Sequence, residues 1–185
     1  MTGELTARAP VRVAILGAES SGKSTLAATL AARHRTLWVP EYLRQFVEEQ
    51  QRVPRESDQV FIAGMQLRAE GAMAATAGAG RLLFCDTTPL MTAVYSGYYF
   101  HGVDAGLAAL AAHHDYGWTL VTAPDTPWEA DGLQRESEAV RQIVHQSLLA
   151  ELARRGIAYA LVHGPLEQRL AQAEAWLAGA AQGAV

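Results

Sequence analysis

The chain has 185 residues, half of them hydrophobic and 18% charged, which argues against disorder and for one domain with a real core. A formal net charge of −4 gives no general pull toward nucleic acid or acidic membranes. A single cysteine excludes an internal disulfide, no apolar run approaches transmembrane length, and Arg12 and Glu19 break up the one apolar stretch near the N-terminus, so a cytoplasmic protein is expected.

Residues 1–10 are polar and read as a flexible N-terminus. Val11 to Leu16 is a short apolar run rich in β-branched residues, a strand. It runs into Gly17-Ala-Glu-Ser-Ser-Gly-Lys-Ser24 and then into an alanine-rich helix ending near Arg33. Thr36–Val39 reads as a second strand, stopped by Pro40, with a helix from Glu41 to Gln50. Ser57-Asp58 caps a long helix from Gln59 to about Ala77. Arg81–Cys85 is a third strand, stopping at Asp86. A helix follows from Thr87 to Gly97, and a second apolar helix ends near His114. Gly117–Thr122 is the fourth strand, and Pro124–Glu138 is polar and irregular. A helix over 139–155 is stopped by Gly156. Ile157–Val162 is the fifth strand, Gly164-Pro165 opens a last helix, and 179–185 reads as frayed. The expectation is a single domain over 11–178.

Strands of nearly continuous apolar character, separated by helices, form a parallel sheet covered on both faces. The Gly-x-x-x-x-Gly-Lys-Ser pattern between strand and helix is a phosphate-binding loop in the context it requires. The fold expected is therefore α/β: a P-loop NTPase with a five-stranded parallel sheet, a small lid over roughly 124–138, and nucleoside- or nucleotide-kinase character. Gly17 and Gly22 let the backbone curl so that N–H groups, from Glu19, Ser20 and Ser21 through Thr25, face phosphate oxygens. Lys23 offers a compact cation to the β- and γ-phosphates, and Ser24 offers a hydroxyl to Mg2+. Lys23 is the only lysine; the other 14 basic residues are arginine. Guanine readers use Asn-Lys-x-Asp, so this chain cannot contain that motif, and ATP is the favoured donor.

Ligands of such sheets sit at the carboxyl ends of the strands, and each strand hands over to polar groups there. Asp86 has the form of a metal-holding acid, or of an ordinary N-cap. Glu41 is a candidate general base, or a first-turn acid serving the helix dipole. Arg44 would clamp an acceptor or face solvent. Arg135, in the lid, is the candidate to close on the transferring phosphoryl group, with Trp128 stacking on a ring or packing beneath the lid, and Asp131 in the same loop. Gly164-Pro165 stands where adenine rests in this fold, or simply marks a turn. Tyr98, in the aromatic run after Asp86, is a candidate pocket wall.

Together, the loop Gly17–Ser24, Glu41-Tyr-x-Arg44, Asp86-Thr-x-x-Leu-x-Thr92 and Pro127-Trp-x-x-Asp-Gly-x-Arg135 resemble the ribosylnicotinamide kinase domain of NadR proteins and related AAA-type ATP-binding proteins. The resemblance runs from Val11 to about Leu170. It implies phosphoryl transfer from ATP·Mg2+ to the 5′-hydroxyl of nicotinamide riboside, giving nicotinamide mononucleotide. The acceptor-side residues expected are Glu41, Tyr42, Arg44, Asp86, Tyr98, Trp128 and Asp131. Whether Glu41 or Asp86 takes the proton stays open. Another nucleoside or small metabolite as acceptor, or a regulatory ATPase without one, are the alternatives. Partners expected are ATP and a small nucleoside-like acceptor, with neither nucleic acid nor membrane; a homo-oligomer is compatible with the sequence.

Overall fold

The computed structural model describes residues 9–78, 81–127 and 137–179. Five strands form one parallel sheet: β1 (Val11–Leu16), β2 (Leu37–Val39), β3 (Leu82–Asp86), β4 (Trp118–Thr122) and β5 (Ala160–Val162), in the order β2-β3-β1-β4-β5. β1 is central. Val13 stands opposite both Phe84 of β3 and Trp118 of β4. The strand order therefore reverses beside β1, which opens a crevice at its carboxyl end between β3 and β4.

Alternation along β1 serves two layers, as expected of a strand buried on both sides. Val13 and Ile15 join the core under α1 (Lys23–Arg33) and α7 (Leu166–Gly179). Ala14 and Leu16 join the core under α4 (Pro89–Tyr99) and α6 (Glu138–Arg155). α3 (Gln59–Ala77) packs over β2 and β3 through Ala69, Met73 and Ala74. α5 (Ala105–Ala112) lies on α3 and α4, and α2 (Tyr42–Gln50) packs through Phe46 against Ile62 of α3. A turn of 3-10 helix at Glu56–Asp58 leads into α3.

Among the boundaries that differ from the sequence expectation, two have a visible cause. β5 begins at Ala160 rather than Ile157. Gly156 caps α6 in the left-handed conformation (φ 65°), and the Ile157 amide still bonds back to the Leu152 carbonyl 3.0 Å away. Ile157 is therefore held to the end of α6, outside the ladder. α5 ends at Ala112, short of His114, because His114 Nε2 engages Thr119 Oγ1 of β4 at 2.9 Å and draws that residue to the sheet.

Candidate active site

Between β1 and α1 the backbone of Gly17–Ser24 makes the curl that the glycines predict. Gly17 has φ 153° and Gly22 φ 81°, with Ser20 left-handed at φ 49°. Gly17 also has no room for a side chain: a Cβ there would overlap Thr122 Oγ1 and lie 2.9 Å from Ser21 Oγ. The loop is pinned by its own hydroxyl, since Ser21 Oγ donates to the Ala18 carbonyl at 2.6 Å and lies 2.7 Å from Thr122 Oγ1. Lys23 is buried and folds over the loop, its Nζ donating to the same Ala18 carbonyl at 2.9 Å. A single neutral carbonyl oxygen holds an ammonium weakly compared with an anion, so this lysine stands ready to exchange that partner for phosphate.

Across the crevice, β3 ends on Asp86, fully buried. Ser24 Oγ donates to Asp86 Oδ2 at 2.5 Å, while Asp86 Oδ1 is buried with no hydrogen-bond partner. Burial pushes the Asp86 carboxyl above the usual carboxylate range, against the pull of Lys23, the Ser24 hydroxyl and Arg44. The chain then turns through Thr87 at φ 71°, a conformation a β-branched residue adopts only under constraint. The Thr87 amide bonds to the Ile15 carbonyl at 3.0 Å, locking that turn onto β1. Thr88 Oγ1, like Asp86 Oδ1, is a buried polar atom without a partner.

Beyond β2, Glu41 at the N-cap of α2 and Arg44 in its first turn have side chains that meet at 3.6 Å. The predicted base and the predicted clamp are thus each other's neighbours, with Glu41 the more enclosed of the two. Tyr42 is placed differently: its ring is buried with Phe46 and Ile62, edge-on to Phe61. Its backbone amide donates to Gln66 Oε1 at 2.9 Å, and Gln66 Nε2 reaches the Asp86 carbonyl at 3.5 Å. Gln66 thereby ties the acidic ends of β2 and β3 together.

A family model described as an AAA domain matches residues 12–169. The chain belongs to that AAA domain family. Its sequence is 30% identical over 146 residues to the trifunctional NAD biosynthesis/regulator protein NadR of Salmonella typhimurium, and 32% over 144 residues to NadR of Escherichia coli. The matches cover 76% of this chain and 35% of each relative, so the chain spans about a third of their length. Among solved structures, a NadR protein in complex with NR superposes with a TM-score of 0.72 at 21% identity, covering 84% of this chain and 46% of that one. Thymidylate kinase from Ehrlichia chaffeensis superposes at 0.63 and 13% identity, covering 91% of this chain and 99% of that one. These likenesses carry the fold: a P-loop sheet of nucleoside-kinase architecture.

Within this AAA domain, the structure brings together Gly17, Glu19, Ser20, Ser21, Gly22, Lys23, Ser24, Asp86, Glu41 and Arg44 at one end of the sheet. Thr25 is exposed on the first turn of α1. Gly164 and Pro165 lie beyond β5, where the Gly164 amide donates to Asp125 Oδ2 at 2.7 Å. Tyr98 goes elsewhere. It lies about 14 Å along α4 from the end of β3, and lines a cavity of ≈ 720 Å³ with Gly97, His101, Glu151 and Arg154. Trp128, Asp131 and Arg135 lie outside the described residues.

The sequence reading passed over four groups that build the site. Thr122 and Gln66 are described above. The others are Arg141 of α6 and Arg169 of α7, both 2% exposed. Arg169 donates to the carbonyls of Ser21, Gly164 and Ala123 and pairs with Asp125. Arg141 donates to the carbonyls of Pro124 and Thr126 at 2.7 and 2.8 Å, and to that of Ser20 at 3.4 Å. A signal for both was present: each stands on the apolar stripe of its helix, Arg141 with Val144 and Leu148, Arg169 with Leu170 and Ala173. A guanidinium on a buried stripe must find acceptors there.

Among the described residues no cluster of three or more His, Cys, Asp or Glu side chains could hold a metal. A hard-oxygen pair beside the loop is Ser24 Oγ with Asp86, whose spare buried oxygen fits a cation that takes its remaining ligands from phosphate and water. No helix among the described residues is long and apolar enough to cross a membrane.

Proposed function

We propose that this chain is an ATP-dependent kinase that phosphorylates the 5′-hydroxyl of nicotinamide riboside. The observation that carries the kinase reading is the contact between Ser24 and Asp86 beside Lys23, at the mouth of a glycine-lined loop. A buried acid with a spare oxygen, a hydroxyl and a cation beside backbone amides are the parts that phosphoryl transfer requires. The riboside is supported by the similarity to NadR, a protein of NAD biosynthesis, and by the likeness to a NadR protein bound to NR.

In this reading the amides of the loop and Lys23 bind the β- and γ-phosphates of ATP. Ser24 and Asp86 would hold Mg2+, which neutralises charge developing on the phosphate oxygens when bound. Glu41 takes the proton of the acceptor hydroxyl as its oxygen bonds to the γ-phosphorus. The bond from that phosphorus to the β,γ-bridging oxygen breaks, leaving ADP and the nucleoside 5′-phosphate. Arg44 orients Glu41 from 3.6 Å. Arg135 is the proposed lid arginine for the moving phosphoryl group, and Trp128 and Asp131 the proposed acceptor contacts beside it.

ADP release measured across a panel of nucleosides tests the reading. Turnover with nicotinamide riboside well above that with adenosine, thymidine, uridine and no acceptor is the expected result. Equal ADP release with and without every nucleoside would replace the kinase with an ATPase. A different preferred nucleoside would keep the kinase and change the acceptor.

A further inference from the structure

We infer that Arg141 and Arg169 are positioning residues that fix the direction of the phosphate-loop amides from behind. The inference deepens the proposed function and rests on its nucleotide-binding step. In a trans peptide the C=O of one residue and the N–H of the next point in opposite directions. Holding a carbonyl outward therefore aims the following amide inward. The Ser21 carbonyl is held by Arg169 Nη1 at 2.5 Å, which turns the Gly22 amide away from Arg169 and toward the concave side. The Ser20 carbonyl is held by Thr126 Oγ1 at 2.6 Å, with Arg141 Nη1 behind it at 3.4 Å, which does the same for the Ser21 amide.

Glycine makes this bracing necessary. Gly22, at φ 81°, can leave its conformation readily, and Ser20, at φ 49°, holds one that a residue with a side chain disfavours. In the absence of a brace, ordering these peptides would be charged against nucleotide binding. The arginines come from two helices far along the chain, and both are buried; the cost of desolvating them is offset by carbonyl acceptors and by carboxylates, Glu138 at 3.0 Å from Arg141 Nε and Asp125 paired with Arg169. Neither needs to touch ATP. Both also hold the segment after β4, through the carbonyls of Ala123, Pro124 and Thr126 and the Asp125 carboxylate. The phosphate loop and that segment are therefore set in one register by the same two side chains.

The test uses the full chain and measures ATP affinity by calorimetry with magnesium, alongside nicotinamide riboside affinity and thermal melting. Arg141→Lys and Arg169→Lys keep the charge but lose the fork that spans several carbonyls. Thr126→Val removes the hydroxyl that donates to the Ser20 carbonyl and is the mildest probe. The expected result is an ATP Kd raised about tenfold in each arginine variant and several-fold in Thr126→Val, with riboside affinity within twofold of wild type. An ATP Kd within twofold of wild type in folded variants, with only the melting temperature lowered, would overturn the inference and leave the arginines as ordinary braces of the fold. Wild-type protein that binds no ATP would overturn the kinase reading itself, and this inference with it.

Discussion

Ser24 Oγ lies 2.5 Å from Asp86 Oδ2, although the two residues are 62 positions apart in the chain. The contact joins the first turn of α1 to the end of β3 and sets a hydroxyl beside a carboxylate, the pair that the proposed mechanism assigns to the cation. Asp86→Asn keeps the shape and the hydrogen bond from Ser24 but removes the charge. We expect ADP release to fall by about 100-fold or more, with melting unchanged or raised, because a neutral amide is easier to bury than a carboxylate. Ser24→Ala should raise the magnesium concentration that gives half-maximal rate. An Asp86→Asn enzyme turning over at the wild-type rate would remove the acid from the mechanism.

Lys23→Ala should lower kcat by about 100-fold or more while circular dichroism and melting stay near wild type. The ammonium donates to a loop carbonyl, and the side chain lies outside the apolar core under α1 and α7. Lys23→Arg should not restore activity, since a planar fork cannot replace a compact ammonium in a site already filled by the loop.

Gly17→Ala introduces a methyl group into Thr122 Oγ1 at a backbone angle suited to glycine. The variant should lose about 2 kcal/mol of stability and several degrees in Tm, and its ATP affinity should fall with the displaced loop. A melt superimposable on wild type would show that the loop tolerates a side chain there.

Glu41→Gln and Arg44→Ala separate proton transfer from positioning. Glu41→Gln should lower kcat with little change in the KM for ATP. Arg44→Ala should affect the acceptor side and leave ATP affinity intact. If Glu41→Gln leaves kcat unaltered, Asp86 takes over as the proton acceptor.

Glu70 of α3, which also engages Gln66 and Cys85 behind the end of β3, gives the fold a pH dependence. It is fully buried, with the Tyr116 hydroxyl 2.9 Å from both carboxylate oxygens and Arg12 at 3.9 Å. Burial pushes its pKa up to about 7 against those partners. Between about pH 4.5 and 7 the unfolded chain has released a proton that the folded chain keeps, so this group makes stability fall as pH rises. His114, whose ring packs on Tyr116, runs the other way. Burial, aided by Arg155, pushes it down to about 4, so between about pH 4 and 6.5 it makes stability rise with pH. The two slopes oppose one another. Glu70→Gln should expose the rising slope between pH 4.5 and 6.5 and be the more stable form at pH 8, by up to about 3 kcal/mol. Denaturant melts at pH 5, 6.5 and 8 check this. A variant whose profile parallels wild type would place Glu70 in its ionised form throughout.

The phosphate loop was legible in the sequence because glycines, lysine and serine at fixed spacing encode a backbone shape locally, between a strand and a helix. Asp86 was legible for a similar reason: it ends an apolar run. The strand count and the parallel sheet followed from the same apolar runs. What depends on contacts between distant elements was not legible. The apolar stripes of α6 and α7 mark Arg141 and Arg169 as buried, but their acceptors are set only when the sheet order brings both helices behind the loop. Tyr42 reads as a site residue from its place beside Glu41, yet the packing of α2 on α3 turns its ring inward. Gln66 lies mid-helix and gains its role only when α3 sets it between the ends of β2 and β3.

The central place of β1 has a cost during translation. Its two ladder partners, β3 and β4, are encoded well downstream. At ribosomal speeds the interval between β1 and β4 is on the order of 5–20 s. Through that time an apolar strand emerges with open edges, a state prone to mispairing with other nascent chains. Arg169, in the last helix, is made later still. The nucleotide cradle is therefore synthesised before the elements that fasten it, and ligand added to stalled nascent chains should protect only those long enough to include α7.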